Sequence, residues 1–337
     1  MAMKSGALRF KILLAFALAV VVGWSVLWFV GATIVDRQIH KAQMAAEGAG
    51  AVAECVNRSV TGFPFRIEVR CGDGTHAAGE GGAVTVGGAT VAALVYDPDR
   101  VIAEVASPLV ITSSTGQEVR AQWRLAQASA RLDFDARTLE RFDAQVKEAT
   151  ISVGSHPPVV VGEVGAHLRR DPASPADLGL AVRFQDIVPV AGGEPVTLAL
   201  RGRLGEGASL LAGSPEAIFV ALATGGVPFI VEAASLESGD MVVEASGELR
   251  LGSDGFVNGA IDLAVAGADE TLPYLDRMTP GASETVRQII GSVLAFAPET
   301  TVRERTGKKL FLVVDDGRVK AGIVPLFTVP RVTAAQR

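Results

Sequence analysis

One uninterrupted apolar run near the N-terminus constrains this chain more than any other feature of its sequence. The residues from Ile12 to Val35, ILLAFALAVVVGWSVLWFVGATIV, contain no charged side chain. At 1.5 Å per residue, a helix of this length covers a bilayer's hydrocarbon core, which is about 30 Å thick. The run also lacks the polar face that a helix of a soluble domain usually has. The sequence therefore predicts a transmembrane helix over 12–35, preceded by a short segment, 1–11.

The flanking residues predict how this helix is oriented. Lys4, Arg9 and Lys11 precede the run, whereas the basic residues just after it are offset by acidic neighbours. By the positive-inside rule, the N-terminus stays in the cytoplasm and the remaining chain lies on the other side. A cleaved signal peptide is the alternative, but its apolar region is normally about 7–15 residues long. We expect an uncleaved signal anchor, while the small residues of 42–53 leave later processing open.

Composition indicates a folded chain without a nucleic-acid partner. The 31 Lys and Arg against 37 Asp and Glu give a net charge of -6, with no long basic run. Binding to phosphates needs a concentrated basic face, so no nucleic acid is expected. Because 49% of residues are hydrophobic and only 20% are charged, we expect most of the chain to be folded.

Alternation of apolar and polar residues predicts antiparallel strands through most of the remaining chain. Single strands are predicted over 119–125 and 130–134, and hairpins over 245–251 with 261–265 and over 310–314 with 319–324. The expected fold class is mainly β, antiparallel and hairpin-rich, as an elongated curved sheet or two β lobes. A few short helices accompany the strands, and their predicted ranges are 138–148, 215–223 and 282–297.

A Pro-rich stretch, 171–177, is the best internal break in the sequence. Proline and small polar residues in such a cluster favour a loop or a boundary. We therefore predict a juxtamembrane linker or helix over 36–54, an N-terminal β lobe over 55–170 and a C-terminal β lobe over 178–332.

The two cysteines, Cys55 and Cys71, are 16 positions apart with a turn signal at Gly62 and Pro64 between them. A hairpin would bring the sulfurs together, and an oxidising compartment favours one disulfide. Two unpaired buried thiols are the alternative. A metal site is not expected, because the sequence has no CxxC and its four histidines are scattered.

No catalytic or cofactor-binding motif is present. The Gly-rich stretch 79–88 lacks the GxxxxGK[ST] spacing of a phosphate-binding loop and is interpreted as turns beside strands. The sequence has no GxSxG and no HExxH. We expect neither a cofactor nor an enzymatic activity.

A five-residue motif between the two cysteines carries a resemblance to a known family. Gly62, Phe63, Pro64, Phe65 and Arg66, with the two cysteines, the single anchor and the phrase DGRVKAGIVPLFTVPRV over 316–332, resemble an alphaproteobacterial envelope family, domain of unknown function 2125. The resemblance implies an inner-membrane anchor, a periplasmic bulk and no known enzyme activity. The passage 245–267 is more distantly similar to AsmA-like envelope proteins, which are implicated in lipid transport or outer-membrane assembly.

Two functions remain open from the sequence. The first is binding of a lipid or another hydrophobic envelope component by an apolar sheet face, in envelope maintenance or lipid transport. The second is a non-enzymatic scaffold that meets envelope proteins during assembly. A continuous apolar groove would favour the first, and a fully packed core with one exposed patch would favour the second.

Overall fold

The fold consists mainly of antiparallel β-sheet that follows one long N-terminal helix. A computed structural model describes residues 3–48, 50–79, 81–135, 138–188, 193–213, 216–267 and 291–332. The chain forms two compact units, which we call unit 1 (1–130 and 151–156) and unit 2 (131–150 and 157–337). The expected fold class is thus confirmed.

Unit 1 begins with helix α1, Met3–Gly48, which continues beyond the predicted span into the predicted linker. Its strands are β1 Val52–Glu54, β2 Ser59–Thr61, β3 Arg66–Cys71, β4 Thr75–Gly79, β5 Gly82–Leu94, β6 Asp97–Ser113 and β7 Glu118–Gln122. Strand β5 pairs with β3 and β4 through successive halves of its length, and also with β6. Strands β2, β1 and β7 extend the sheet from β3, β4 and β6 respectively.

Strands β8, Leu125–Asp133, and β9, Thr138–Val153, contain residues of both units. Unit 2 then contains β10 Val159–Arg170, β11 Leu178–Val188, β12 Val196–Leu204, a 3-10 helix Gly207–Ala212, α2 Glu216–Thr224, β13 Val227–Ser238, β14 Met241–Leu251, β15 Val257–Ala266, β16 Glu299–Val302, β17 Arg305–Asp315, β18 Arg318–Ala321 and β19 Val324–Thr328. From β10 to β15 each strand pairs antiparallel with the next. Strand β17 pairs with β15 and β16, and β18 and β19 follow it.

Most of the local predictions are confirmed. The hairpin of β14 and β15 and the helix α2 lie where the sequence predicts them. Of the Gly-rich stretch 79–88, Gly79 ends β4 and residues 82–88 lie in β5, with which β4 pairs, and 171–177 is a loop between β10 and β11. Two strands are shorter than predicted: the one predicted over 119–125 ends at Gln122, and the one predicted over 319–324 ends at Ala321. The two-lobe division at this loop stays a prediction, and the units defined by contacts divide after Ala130.

The helix predicted over 138–148 is wrong, because these residues form β9. Arg141, Asp143, Gln145 and Lys147 alternate with apolar neighbours, which is the period of a strand. The high helix propensity of Arg141, Gln145 and Lys147 is overridden by pairing with the sheet. Of the helix predicted over 282–297, residues 291–296 are helical, and 282–290 lie outside the described residues.

Cys55 and Cys71 lie at disulfide distance, with their Cα atoms 5.0 Å apart. Strands β2 and β3 pair antiparallel, and this hairpin brings the two cysteines together. We expect Cys55→Ser to lower the free energy of unfolding by roughly 3 kcal/mol, as loss of a loop of this size predicts. Thermal unfolding in detergent micelles without reductant measures the effect. Reductant should shift the wild type but not the variant; equal melting temperatures would contradict the prediction.

Candidate functional site

Helix α1 has two zones that differ in what surrounds them. From Phe10 to Gly23 every side chain is exposed. From Trp24 onward, buried or half-buried positions recur every three or four residues, at 24, 25, 28, 31, 32, 35, 36, 39, 43 and 46. This spacing places them on one side of the helix. Within unit 1, α1 contacts β1, β2 and β3 with this side.

The five motif residues 62–66, which we call the GFPFR tip, contact the N-terminal part of the packed side of α1, at Trp24 and Trp28. The indole Nε1 of Trp24 donates to the carbonyl oxygen of Pro64 at 2.7 Å, and that of Trp28 donates to Arg66 at 2.7 Å. The ring of Trp28 also meets that of Phe63 edge-on, with centroids 5.6 Å apart. Trp28 is only 5% exposed. The motif therefore forms the surface of the sheet against which this part of α1 packs.

Backbone conformation explains why the GFPFR tip starts with glycine. Gly62 has φ +104°, and a Cβ there would lie 2.6 Å from Cγ and 2.7 Å from the carbonyl oxygen of Arg66. The amide of Arg66 donates back to the Gly62 carbonyl at 3.1 Å. Only glycine fits this conformation and this close approach.

Arg66 has a second role through its side chain. Its Nη2 lies 2.8 Å from Oε2 of Glu68, and Arg70 pairs with the other carboxylate oxygen. Glu68 is buried, and a buried carboxylate needs such partners. Ile67 and Val69 alternate with these charges and line a cavity against α1 instead.

Further along α1 the contacts become polar. Arg58 forms an ion pair with Asp36 at 3.1 Å and donates to Oε1 of Gln43 at 3.1 Å. The amide nitrogen of Gln43 in turn donates to the Ala53 carbonyl at 3.0 Å. The first residues of the packed side of α1, 24–28, thus contact the GFPFR tip, and later residues, 36–43, contact residues 53–58.

An apolar cavity of about 410 Å³ lies between α1 and the sheet of unit 1. Leu27, Gly31 and Val35 line it from the helix, and β3, β5 and β6 line it from the sheet. Gly31 lets the helix approach closely, because a Cβ there would lie 3.0 Å from Cδ1 of Ile67.

Unit 2 has one apolar and one charged sheet face. Partners in register on antiparallel strands share a face. One such row runs through Val182, Leu200, Ala234, Ala245, Leu263 and Leu310, and the next through Phe184, Leu198, Leu236, Val243 and Val265. We call this side of β11–β15 and β17 the apolar face, and the opposite side the charged face.

The apolar face is covered at one end and half-exposed in the middle. Leu312, Val314 and Val319 are buried, with Leu326 and Val329 packed against them. Over β11–β14 the apolar side chains stay partly accessible and line a cavity of about 490 Å³. Among the described residues, this part is an open groove rather than a closed core.

Ion pairs within the protein offset much of the charge on the charged face. Arg201 lies 3.1 Å from Glu232, and Arg303 lies 2.6 Å from Glu237 and 2.8 Å from Glu244. A cavity of about 670 Å³ lies on this side. Such paired surface charges contribute little energy individually.

One polar cluster joins residues far apart in sequence. Nδ1 of His167 lies 2.6 Å from Asp143 Oδ1, and Nε of Arg141 lies 2.6 Å from the other oxygen. Burial raises the pKa of Asp143, but the hydrogen bonds from Arg141 and His167 outweigh it and hold the pKa below its ordinary value. The adjacent pocket is lined by no Ser, Thr or Cys. Across the described ranges, no three His, Cys, Asp or Glu side chains are grouped for a metal ion.

Fold and site together define a mainly antiparallel β protein whose one long apolar helix fits a single-pass membrane anchor. The chain belongs to a family described as uncharacterized proteins conserved in bacteria, DUF2125, which matches residues 28–330. The resemblance drawn from the GFPFR motif is thereby confirmed. No curated protein and no solved structure matches the chain, and the similarity to AsmA-like proteins is not confirmed.

The packing of the GFPFR tip can be tested at Gly62. We expect Gly62→Ala to lower the free energy of unfolding by about 1–3 kcal/mol, because it adds a steric clash to a strained backbone. Gly74→Ala is the matched control, since Gly74 also has positive φ, +80°, but no atom within 4 Å of its would-be Cβ. Chemical denaturation in detergent compares the two. A loss at Gly62 no larger than at Gly74 would contradict the packing described.

Proposed function

We propose that this protein is a single-pass inner-membrane protein whose β-rich part lies in the periplasm and binds a lipid acyl chain or a similar hydrophobic envelope component. The half-exposed groove on the apolar face is the observation that carries the proposal. A face of this size would be costly to leave against water. A long aliphatic chain matches the apolar lining of the groove, and it needs no fixed hydrogen-bond partner.

The location is supported by charge and by cysteine chemistry. Lys4, Arg9 and Lys11 precede the apolar run, and the segment after it carries no comparable excess, which favours a cytoplasmic N-terminus. The Cys55–Cys71 pair at disulfide distance suits an oxidising compartment. A periplasmic site would also give the groove access to lipids in transit between membranes.

Photocrosslinking can test the groove directly. The full chain is reconstituted in vesicles that contain a phospholipid with a diazirine in one acyl chain. After irradiation, we expect lipid adducts on peptides from β12 and β13, because Leu198 and Leu236 are register partners that line the groove. The double variant Leu198→Gln/Leu236→Gln should lose most of the adduct.

The matched control uses a pair on the charged face. Ala181 and Ala233 are both register partners of Arg201, and they line the cavity on the charged face but not the groove. Ala181→Gln/Ala233→Gln should therefore keep the adduct, with thermal unfolding used to show that both variants fold. Adducts that are equal in both variants, or absent from the wild type, would overturn the lipid proposal. The second result would favour the scaffold function with a protein partner.

A further inference from the structure

The length of the freely exposed zone of α1 sets the membrane depth of unit 1. From Ile12, the first residue of the uncharged run, to Gly23 there are 12 residues before the packed side begins at Trp24. Twelve helical residues rise about 18 Å, whereas a hydrocarbon core is about 30 Å thick. Tilting the helix would only increase this shortfall. A helix that crosses the membrane must therefore place Trp24 to Gly31 within the bilayer or at its surface.

The GFPFR tip is fixed to this part of the helix. Trp24 and Trp28 donate to the carbonyls of Pro64 and Arg66, so the tip lies at the same depth as the tryptophans. Contacts with residues 53–58 come later along α1, at Asp36 and Gln43. Of the contacts between the sheet of unit 1 and α1, those at the tip are thus the nearest to the membrane centre.

The exposed side chains at the tip match this environment. Outside α1, unit 1 contains two phenylalanines and one tyrosine, and all three are exposed: Phe63 is 51% exposed, Phe65 62% and Tyr96 66%. Tyr96 lies in the β5–β6 turn, where the amide of the preceding Val95 donates to the Phe65 carbonyl at 2.9 Å. Exposed aromatic rings are costly in water but are enriched where membrane and water meet.

We infer that the GFPFR tip and the β5–β6 turn are embedded in the outer interface of the bilayer that α1 crosses, with Phe65 and Tyr96 among the lipids. The occupant of this exposed surface is membrane lipid, because the surface continues the exposed apolar surface of α1 at Phe29 and Val30. The inference rests on the anchor in the proposed function but not on the groove of unit 2. Residues beyond about Gly31 then form a stalk outside the hydrocarbon.

The test measures depth at single labelled positions of the full chain in phosphatidylcholine and phosphatidylglycerol vesicles. An environment-sensitive NBD fluorophore is attached to Phe65→Cys or Tyr96→Cys without reductant, so that Cys55 and Cys71 stay paired. Gln117→Cys is the control, since Gln117 is exposed and lies after β6, whose 17 residues extend about 55 Å from the tip. Phospholipids with a nitroxide high on the acyl chain act as quenchers.

We expect blue-shifted emission and at least about twofold quenching at positions 65 and 96, and neither at 117, as interfacial side chains require. Quenching at 65 and 96 no stronger than at 117 would overturn the inference. Blue-shifted emission without lipid quenching would also overturn it, because a protein partner would then cover the tip. Resistance to alkaline carbonate is measured on the same vesicles: resistant protein with unquenched labels refutes only the embedded tip, and extracted protein refutes the anchor as well.

Discussion

The two indole hydrogen bonds from α1 to the GFPFR tip are the interaction on which the arrangement of unit 1 depends. They join an apolar helix to a sheet through backbone carbonyls, so the contact fixes both position and register along the helix. A helix is suited to this double role because all its backbone groups are satisfied internally, whether lipid or protein surrounds it. The same unbroken element thus passes from a fully exposed zone to a packed one. Glycine at position 62 and the Arg66–Glu68 pair then hold the tip in the shape that accepts the tryptophans.

Unit 2 is organised by a different constraint, the two-residue period of the strand. Each strand from β11 to β15 pairs with its neighbour in sequence, and the in-register rows keep apolar side chains together over the whole width. The charged face satisfies its own side chains through ion pairs such as Lys309 with Asp262. Binding through that face would therefore have to break existing pairs. The apolar face has no such internal competition where it is half-exposed, which is why the proposed ligand is assigned to it.

The sequence predicted the elements better than it predicted their roles. Alternation was sufficient for β14, β15 and β17, because their two faces differ sharply in polarity. It failed at 138–148, where charged side chains of good helix formers masked the period of β9.

Trp24 and Trp28 are recognisable as interfacial residues, but their acceptors lie 40 and 38 positions away, a separation that no local pattern reports. Nor does alternation distinguish an open groove from a closed core, since both require one dry face. The contact between His167 and Asp143 joins strands β10 and β9, and residue spacing within one strand cannot predict a contact between two.

The half-exposed state of the apolar face links the proposed function to stability. The described residues of unit 2 bury small clusters, such as Val242 with Ala266 and Val302, rather than one large core. Much of the unit's cohesion must then come from strand pairing between neighbours in sequence, which costs little loop-closure entropy. Apolar surface left partly in water contributes less than its full transfer free energy. An acyl chain in the groove would remove that surface from water only in the folded state, so it would also stabilise the fold by mass action. A sheet built in this way would gain stability from the proposed ligand, whereas a closed sandwich would leave no comparable apolar surface for one to cover.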